Sequence, residues 1–547
     1  MPAARDWLFW FAAIALLFVH LGTTATWQSE DRWLEVAREM LLSGNYFKPT
    51  LNGALYFDKP LLGYWLIIVC KYFVGALNEW SLRLPSAIAG LIALWATIDL
   101  AKQLWGIEVA RKAGWILLTC FGFLQWARLG EADMENLAAS ILAVSWYWRH
   151  RNHASLIDYT VFYAIVASGA QCKGLTAVIV PFLALLPDLV QAGRARQHLN
   201  ARHVIAMLIG AAIYLLPFWL AREGMPSTSD SALSHSGLAQ VLRENIVRYF
   251  APFDHTEPFY TYLVAVPQYL FPWSFVFIFA LYQALRDKTE IIAQRGWLLS
   301  TLSLIFLFFT LSGSRRNYYI LPLLPYCALL IAVYLHNQYA RTALRLTAAL
   351  LIAAGVLHLL ILPLWPLLQR HAHDMLPDGL RWNMAIIGTA IMLGLALCYW
   401  RAKYSRYRLL YACTFGSVIW LASFFFFTQL ILDSFRSEVD FARQLASMLP
   451  DHPGAKVATY RERPGGRLLF YARLPPTVTV LKNPDALREF IADSSAEKIV
   501  IVYHQYDPEL PDLLRDTNPQ AKEKEFAWEK NNKEKLQAWL LPGVSAE

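Results

Sequence analysis

The sequence predicts a polytopic α-helical membrane protein with a small α/β domain at its C-terminal end. Three observations lead there. Of 547 residues, 56% are hydrophobic and 14% aromatic while only 16% are charged, a composition outside that of water-soluble globular chains. The apolar residues form runs of bilayer length, and lysine and arginine recur at every second connection between them. After Leu432 the pattern changes to short strands and amphipathic helices.

Taken in order, the apolar runs lie near 7–24, 60–76, 83–104, 113–129, 134–149, 156–171, 174–192, 203–221, 263–284, 297–312, 317–336, 344–367, 383–400 and 408–432. Basic clusters such as Lys102/Arg111/Lys112, Arg149/Arg151, Arg194/Arg196/Arg202 and Arg401/Lys403/Arg406/Arg408 mark the cytoplasmic connections. Working back from them, the run 60–76 lies along the interface rather than across it, with Trp65, Lys71 and Tyr72 suited to that depth. About thirteen spans remain, with a cytoplasmic N-terminus. Residues 1–432 then form a transmembrane domain, with a first external loop at 25–82 and a long one at 222–262, and 433–547 a periplasmic α/β domain. In the latter, "AKVATY", "TVTVL" and "EKIVIVYH" read as strands, and "DFARQLASML" and "NPDALREFIAD" as helices.

The net charge of +8 follows from this topology, so nucleic acid is not the expected partner. The six cysteines lie in or beside apolar runs without CxxC spacing, which points to neither a disulfide framework nor a zinc site. Residues 5–25 mimic a signal peptide, but the many following spans favour an uncleaved anchor in a multi-pass inner-membrane protein.

The polar residues placed outside carry the chemistry. In "WQSEDRWLEVAREM", Glu30 and Asp31 open an amphipathic helix whose apolar stripe is Leu34, Ala37, Met40 and Leu41, and the acids favour the helix N-terminus. The plainer reading is a Ser29 cap followed by first-turn charge. "GALYFDKP" supplies Tyr56, Asp58 and Lys59. "WARLGEADMENL" places Glu131, Asp133 and Glu135 within five residues, which calls for a cation to offset their repulsion. Lys173 in "AQCKGL" and Arg315 and Arg316 in "SGSRRNYYILPLLP" supply cations on the same face, and guanidinium suits bidentate phosphate binding. Tyr318 and Tyr319 follow, at a depth where tyrosines are ordinary belt residues. "RENIVRYFAPFDHTEPFYTY" adds Arg243, Glu244, Arg248, Asp254, His255 and Glu257, and Asp58 could join His255 around a divalent ion.

As a set, these motifs resemble the C-type glycosyltransferases that use polyprenyl-phosphate sugars, most closely the aminoarabinose transferases of lipid A, with the dolichyl-phosphate-mannose protein mannosyltransferases as relatives. The resemblance runs from the first span to about Leu335. It implies that Lys59, Lys173 and Arg315 or Arg316 hold the lipid carrier's phosphate, with Tyr56 and Tyr319 beside them. Asp58 and His255 correspond to a family acid and histidine that can bind a metal, zinc or magnesium. Asp133 corresponds to the second acid. The family's aspartate–glutamate pair falls on Ser29–Glu30 without a gap, or on Glu30–Asp31 with one. Asp58 replaces a glutamate, and "SRRNYY" a lysine-bearing version, which loosens the substrate assignment more than the family.

The implied reaction is inverting transfer of a sugar, aminoarabinose-like, from an undecaprenyl-phosphate-type donor to lipid A or a related envelope glycolipid at the periplasmic face. Cations would stabilise the leaving phosphate, and Glu30 or Asp31, supported by Asp133, would act as base. Nothing marks a second carboxylate as covalent nucleophile, so one displacement is expected. Transfer to protein hydroxyls or a polysaccharide is the alternative within enzymes. A transporter is the more distant one, disfavoured because the ionisable residues lie at span ends rather than mid-bilayer.

Overall fold

A computed structural model of the chain describes residues 3–191, 193–221, 237–252, 255–286, 295–337, 340–371, 406–429, 439–492, 496–503, 522–523, 528–530 and 534–541, with isolated positions between 382 and 394 and at 433. The expected span 383–400 and Asp254 lie outside the continuously described residues.

The first half of the helical body is α1 (Ala3–Phe18), α2 (Glu30–Ser43), α3 (Leu62–Val74), α4 (Glu79–Trp105), α5 (Ile107–Leu118), α6 (Phe121–Ala127), α7 (Asp133–His150), α8 (Leu156–Cys172), α9 (Thr176–Gln191), α10 (Ala195–His198) and α11 (Ala201–Ala221). Among the described residues, five helices are long and apolar enough to cross a bilayer, beginning with Glu79–Trp105 and Ala201–Ala221; a strongly bent pair would make a sixth. Other expected spans are shorter apolar helices, including those over 156–171 and 174–192. The thirteen residues of α3 extend about 20 Å, short of a ~30 Å hydrocarbon core. Long helices start on side-chain caps: Asn78 and Ser81 bond reciprocally at the start of α4, as Ser155 and Asp158 do at α8.

Two expected spans are broken. The run 113–129 divides into α5 and α6 at Thr119 and Cys120, and 263–284 into Thr261–Leu270 and Ser274–Arg286, bent by 114°. The breaks face each other. The Phe121 N–H donates to the Phe271 carbonyl at 2.9 Å, and the Trp273 indole N–H to the Thr119 hydroxyl at 2.9 Å. Irregular backbone in an apolar body persists where protein groups satisfy it, as here.

The α2 helix is buried on more sides than its apolar stripe. Trp33, Leu34, Val36, Ala37 and Met40 are buried as the stripe requires, but so are Glu30, Glu35 and Glu39 on other sides. Each acid has partners. Arg38 holds Glu35 through two bonds of 2.6 and 2.7 Å, and Glu39 accepts from the Asn52 N–H at 2.7 Å within the hairpin of β1 (Thr50–Leu51) and β2 (Ala54–Leu55). The stripe packs on Tyr64, Ile67 and Ile68 of α3, and the C-terminal α/β unit covers α2 at Asp31 and Arg38.

That unit carries a six-stranded mixed sheet. β3 (Lys456–Tyr460) pairs in parallel with β4 (Thr479–Leu481) and β5 (Lys498–Tyr503). β8 (Glu534–Leu541) pairs antiparallel with β5 and also with β6 (Lys522–Glu523) and β7 (Trp528–Lys530). Helices Val439–Met448 and Gly466–Tyr471 cover one face around Phe441, Leu445, Leu468 and Leu469, and helix Pro484–Ala492 covers the other through Leu487. Strands β3 to β5 lie where the alternating runs place them; the β6–β8 ladder was hidden by the charged run around Lys530 and Asn531.

The unit docks on the first loop through directional contacts. Asn52 exchanges two hydrogen bonds with the Val478 backbone at 2.7 and 3.1 Å, and Arg38 donates to the Leu474 carbonyl at 2.8 Å. Gly466 lies so close to α2 that a Cβ would come 2.8 Å from the Asp31 carbonyl oxygen. The sheet unit therefore shares the face that carries the candidate site.

Candidate functional site

The first-loop acids separate into different roles. Glu30 is fully buried and its carboxylate is saturated: Arg83 donates from Nε at 2.8 Å and Nη2 at 2.7 Å, and the N–H groups of Trp27 and Gly130 at 2.8 and 2.7 Å. Arg83 also donates to the carbonyls of Leu21, Thr24 and Ala25. Glu30 thus joins the 21–27 segment, α2, α4 and the 128–132 turn, and its oxygens are already taken up by these donors. Asp31 faces the sheet unit and accepts from the Arg467 N–H at 3.2 Å; burial raises its pKa, with Arg467 opposing. Ser29 provides no side-chain cap, and its N–H donates instead to Glu131 at 3.1 Å.

A second acidic group is formed by the turn into α7. Ala132 sits at φ +60°, a left-handed conformation uncommon for alanine, and sets the backbone between Glu131 and Asp133. Asp133 forms a close ion pair with Lys173, which enters from the end of α8. Burial works against the Lys173 charge, but Asp133 and then Glu131 raise its pKa, so the ammonium stays charged. Glu131 is only 2% exposed, and burial pushes it up to about 7, with Lys173 opposing. Tyr318 places its ring 5.3 Å from the Lys173 ammonium and packs on Trp126.

Gly174 fixes the lysine turn. Its φ of +141° and the 2.2 Å that would separate a Cβ from Asn245 Oδ1 leave no room for a side chain. Asn245 accepts from the Leu175 N–H at 2.9 Å, tying the described part of the 222–262 loop to Lys173.

Lys59 completes the cluster. Burial, then the charge of Lys173, lowers its pKa to about 8. Asp58 is the next influence and acts the other way. Nearby, Arg32 Nη1 donates to the Tyr56 hydroxyl at 3.1 Å, and burial followed by the Asp58 carboxylate keeps that phenol protonated. Arg32 was not among the sequence candidates. Its signal was a cation in the first turn of α2, where the helix dipole favours acids. Arg83 was missed because its partner lies 53 positions away.

The two adjacent arginines differ. Arg315 donates to the carbonyls of Glu257 at 2.7 Å, Ser312 at 2.5 Å and Thr310 at 3.3 Å, and its N–H bonds the His255 carbonyl at 2.6 Å. It clamps the loop through these carbonyls. Arg316 stays 43% exposed, with Glu257 3.6 Å away. His255 Nδ1 is hydrogen-bonded by Arg248 and lies 3.2 Å from the Tyr319 hydroxyl, while Arg248 also binds Glu244 at 2.8 Å.

The residues present do not fit a divalent ion at Asp58 and His255. A guanidinium occupies one histidine nitrogen, and no group of three or more His, Cys, Asp or Glu residues arranged for a metal occurs among the described residues.

Residues 58–220 match the family model described as dolichyl-phosphate-mannose-protein mannosyltransferase. The chain is 30% identical over 372 residues to an undecaprenyl phosphate-alpha-4-amino-4-deoxy-L-arabinose arabinosyl transferase of Pseudomonas savastanoi pv. phaseolicola, with 65% of this chain and 67% of the relative covered. A transferase of the same description from Pseudomonas fluorescens is 29% identical over 316 residues, 55% of this chain and 52% of the relative. The chain thus spans about half to two thirds of the length of these relatives. Its fold is similar to the crystal structure of ArnT from Cupriavidus metallidurans bound to undecaprenyl phosphate, with a TM-score of 0.75 at 19% identity over 100% of this chain and 99% of that one.

Proposed function

Because this chain belongs to the membrane glycosyltransferases that use polyprenyl-phosphate sugars, we propose that it transfers a sugar from an undecaprenyl-phosphate-type donor to lipid A or a related envelope glycolipid at the periplasmic face of the inner membrane. The observation that carries this is the meeting of Lys59 and Lys173 with the Glu131–Asp133 pair on the face of the first loop. Cations for a phosphate and carboxylates for an acceptor then share one locus.

In this reading Lys59, Arg32 and Arg316 hold the donor phosphate. The acceptor oxygen forms its bond to the anomeric carbon as the sugar–phosphate bond breaks, and the electron pair leaves with the phosphomonoester. Lysine charge stabilises that leaving group. One displacement inverts the anomeric centre. A hydroxyl acceptor gives its proton to Glu131 or Asp133, with Asp31 the remaining first-loop acid; a carboxyl near pKa 7 is well matched to that task. A phosphate acceptor is already an anion, and the same carboxylates then orient it. The mannosyltransferase model over 58–220 favours, as a second reading, a protein hydroxyl as acceptor.

Purified protein in liposomes with an undecaprenyl-phosphate-linked aminoarabinose donor and lipid A is expected to yield glycosylated lipid A by mass spectrometry. Sugar-lipid flux across the liposome without transfer would overturn the enzyme reading.

Lys59 gives this reading a pH signature. A lysine lowered to about 8 is charged below that pH and neutral above it. Donor kcat/KM is therefore expected to fall about tenfold per unit above pH 8. In Lys59→Arg the fall should disappear, because guanidinium stays charged; an unchanged profile would remove Lys59 from the donor site.

A further inference from the structure

The opposite ends of the same helices form a second polar cluster that the transfer chemistry does not use. It lies about 27 Å from Asp133, the length of α7, at the α7–α8 connection and α10, on the side where the basic connections place the cytoplasm. A cavity of ≈ 460 Å³ opens there, lined by Arg151, His153, Tyr159, His198, Asn200 and Arg202 among others. Its charge is one-sided. Asp188 is shared between Arg151 at 2.7 Å and Arg194 at 3.6 Å, and Arg202 makes no ion pair among the described residues.

His198 is buried at 7% exposure, and its Nε2 has no hydrogen-bond partner among the described residues. Its Nδ1 lies 2.8 Å from the Tyr159 hydroxyl, which itself accepts from Asn200 at 3.4 Å. With the phenol donating to Nδ1, the ring proton sits on Nε2, ready to donate. Burial, and then His203, lowers the His198 pKa and keeps this neutral form.

His198, Tyr159 and Arg151 also line a narrower cleft, which continues from the cavity between Phe162, Phe182, Leu185 and Leu189. Phe182 is 42% exposed on the apolar flank of α9. A cationic mouth joined to an apolar cleft at a membrane boundary matches an amphiphile with an anionic phosphate head, and basic pockets between helices on this side suit such headgroups.

We propose that this cleft binds one phosphate-headed lipid, its phosphate between Arg202, Arg151 and His198 and its chain against Phe182 and Leu189. The site is separate from the transfer site and independent of the acceptor's identity.

Native mass spectrometry of the full-length protein with dioleoylphosphatidic acid, dioleoylphosphatidylcholine or inorganic phosphate tests it. Phosphatidic acid is expected to bind at least tenfold tighter than phosphatidylcholine. The double variant Arg202→Gln/His198→Gln should lose that preference while keeping its thermal midpoint. Phe182→Ser, an exposed position, should weaken the lipid about tenfold and leave inorganic phosphate unaffected. Equal lipid binding in all variants would overturn the proposal. So would competition by inorganic phosphate with no loss in Phe182→Ser, which would make the cavity a free-phosphate site.

Discussion

Replacing Glu30 by glutamine is expected to destabilise the protein by about 3–5 kcal/mol, the usual cost of leaving one member of a buried ion pair without its partner. Arg83 is 3% exposed and would keep its charge without the carboxylate that pairs with it. The measurable outcome is a large drop in thermal midpoint and in recovered folded protein, with residual activity falling in proportion to the folded fraction. Glu30→Gln combined with Arg83→Leu should recover part of the loss, because the uncompensated charge is gone. A Glu30→Gln protein with wild-type stability and no transfer would instead return Glu30 to the chemistry.

The second large effect is expected at the turn into α7. Glu131→Gln and Asp133→Asn each remove one carboxylate near Lys173. With a hydroxyl acceptor each should lower kcat by about 10²–10⁴-fold, the range of general base catalysis, while donor affinity changes little. The acid limb near pH 7 should vanish in Glu131→Gln, since burial lifts that carboxyl to about 7. With a phosphate acceptor there is no proton to remove, and the loss should shrink to about tenfold, that of lost orientation alone. Single-turnover rates with each acceptor, beside donor binding, separate the two. Unchanged rates with both would exclude this turn from the reaction.

What could be read from the sequence was local. The start of α2 at Glu30, the three acids at 131–135, and strands β3 to β5 follow from short patterns of charge and alternation. What could not be read depends on distant partners. Glu30 and Asp31 are adjacent acids, yet one ends against Arg83 in α4 and the other against Arg467 in the sheet unit. Arg315 and Arg316 are the same residue type in the same turn, and only the carbonyls of Glu257, Thr310 and Ser312 distinguish the clamp from its exposed neighbour. The helix breaks at 119–120 and 271–273 were invisible to hydropathy because a window averages across them; Pro272 was the local hint. The cover over α2 went unseen because the C-terminal unit meets it at Asp31 and Arg38, more than 400 positions away in the chain.

The facing breaks also constrain the order of biogenesis. The Phe121 amide finds its acceptor on Phe271, 150 positions later in the chain. A backbone amide without a partner in hydrocarbon costs several kcal/mol. A nascent chain that has been synthesised only to about residue 130 therefore has no low-energy way to leave α5 and α6 in lipid in their final shape. The early segment must wait in a wetter setting, or as a straighter helix, until the segment carrying Phe271 and Trp273 arrives.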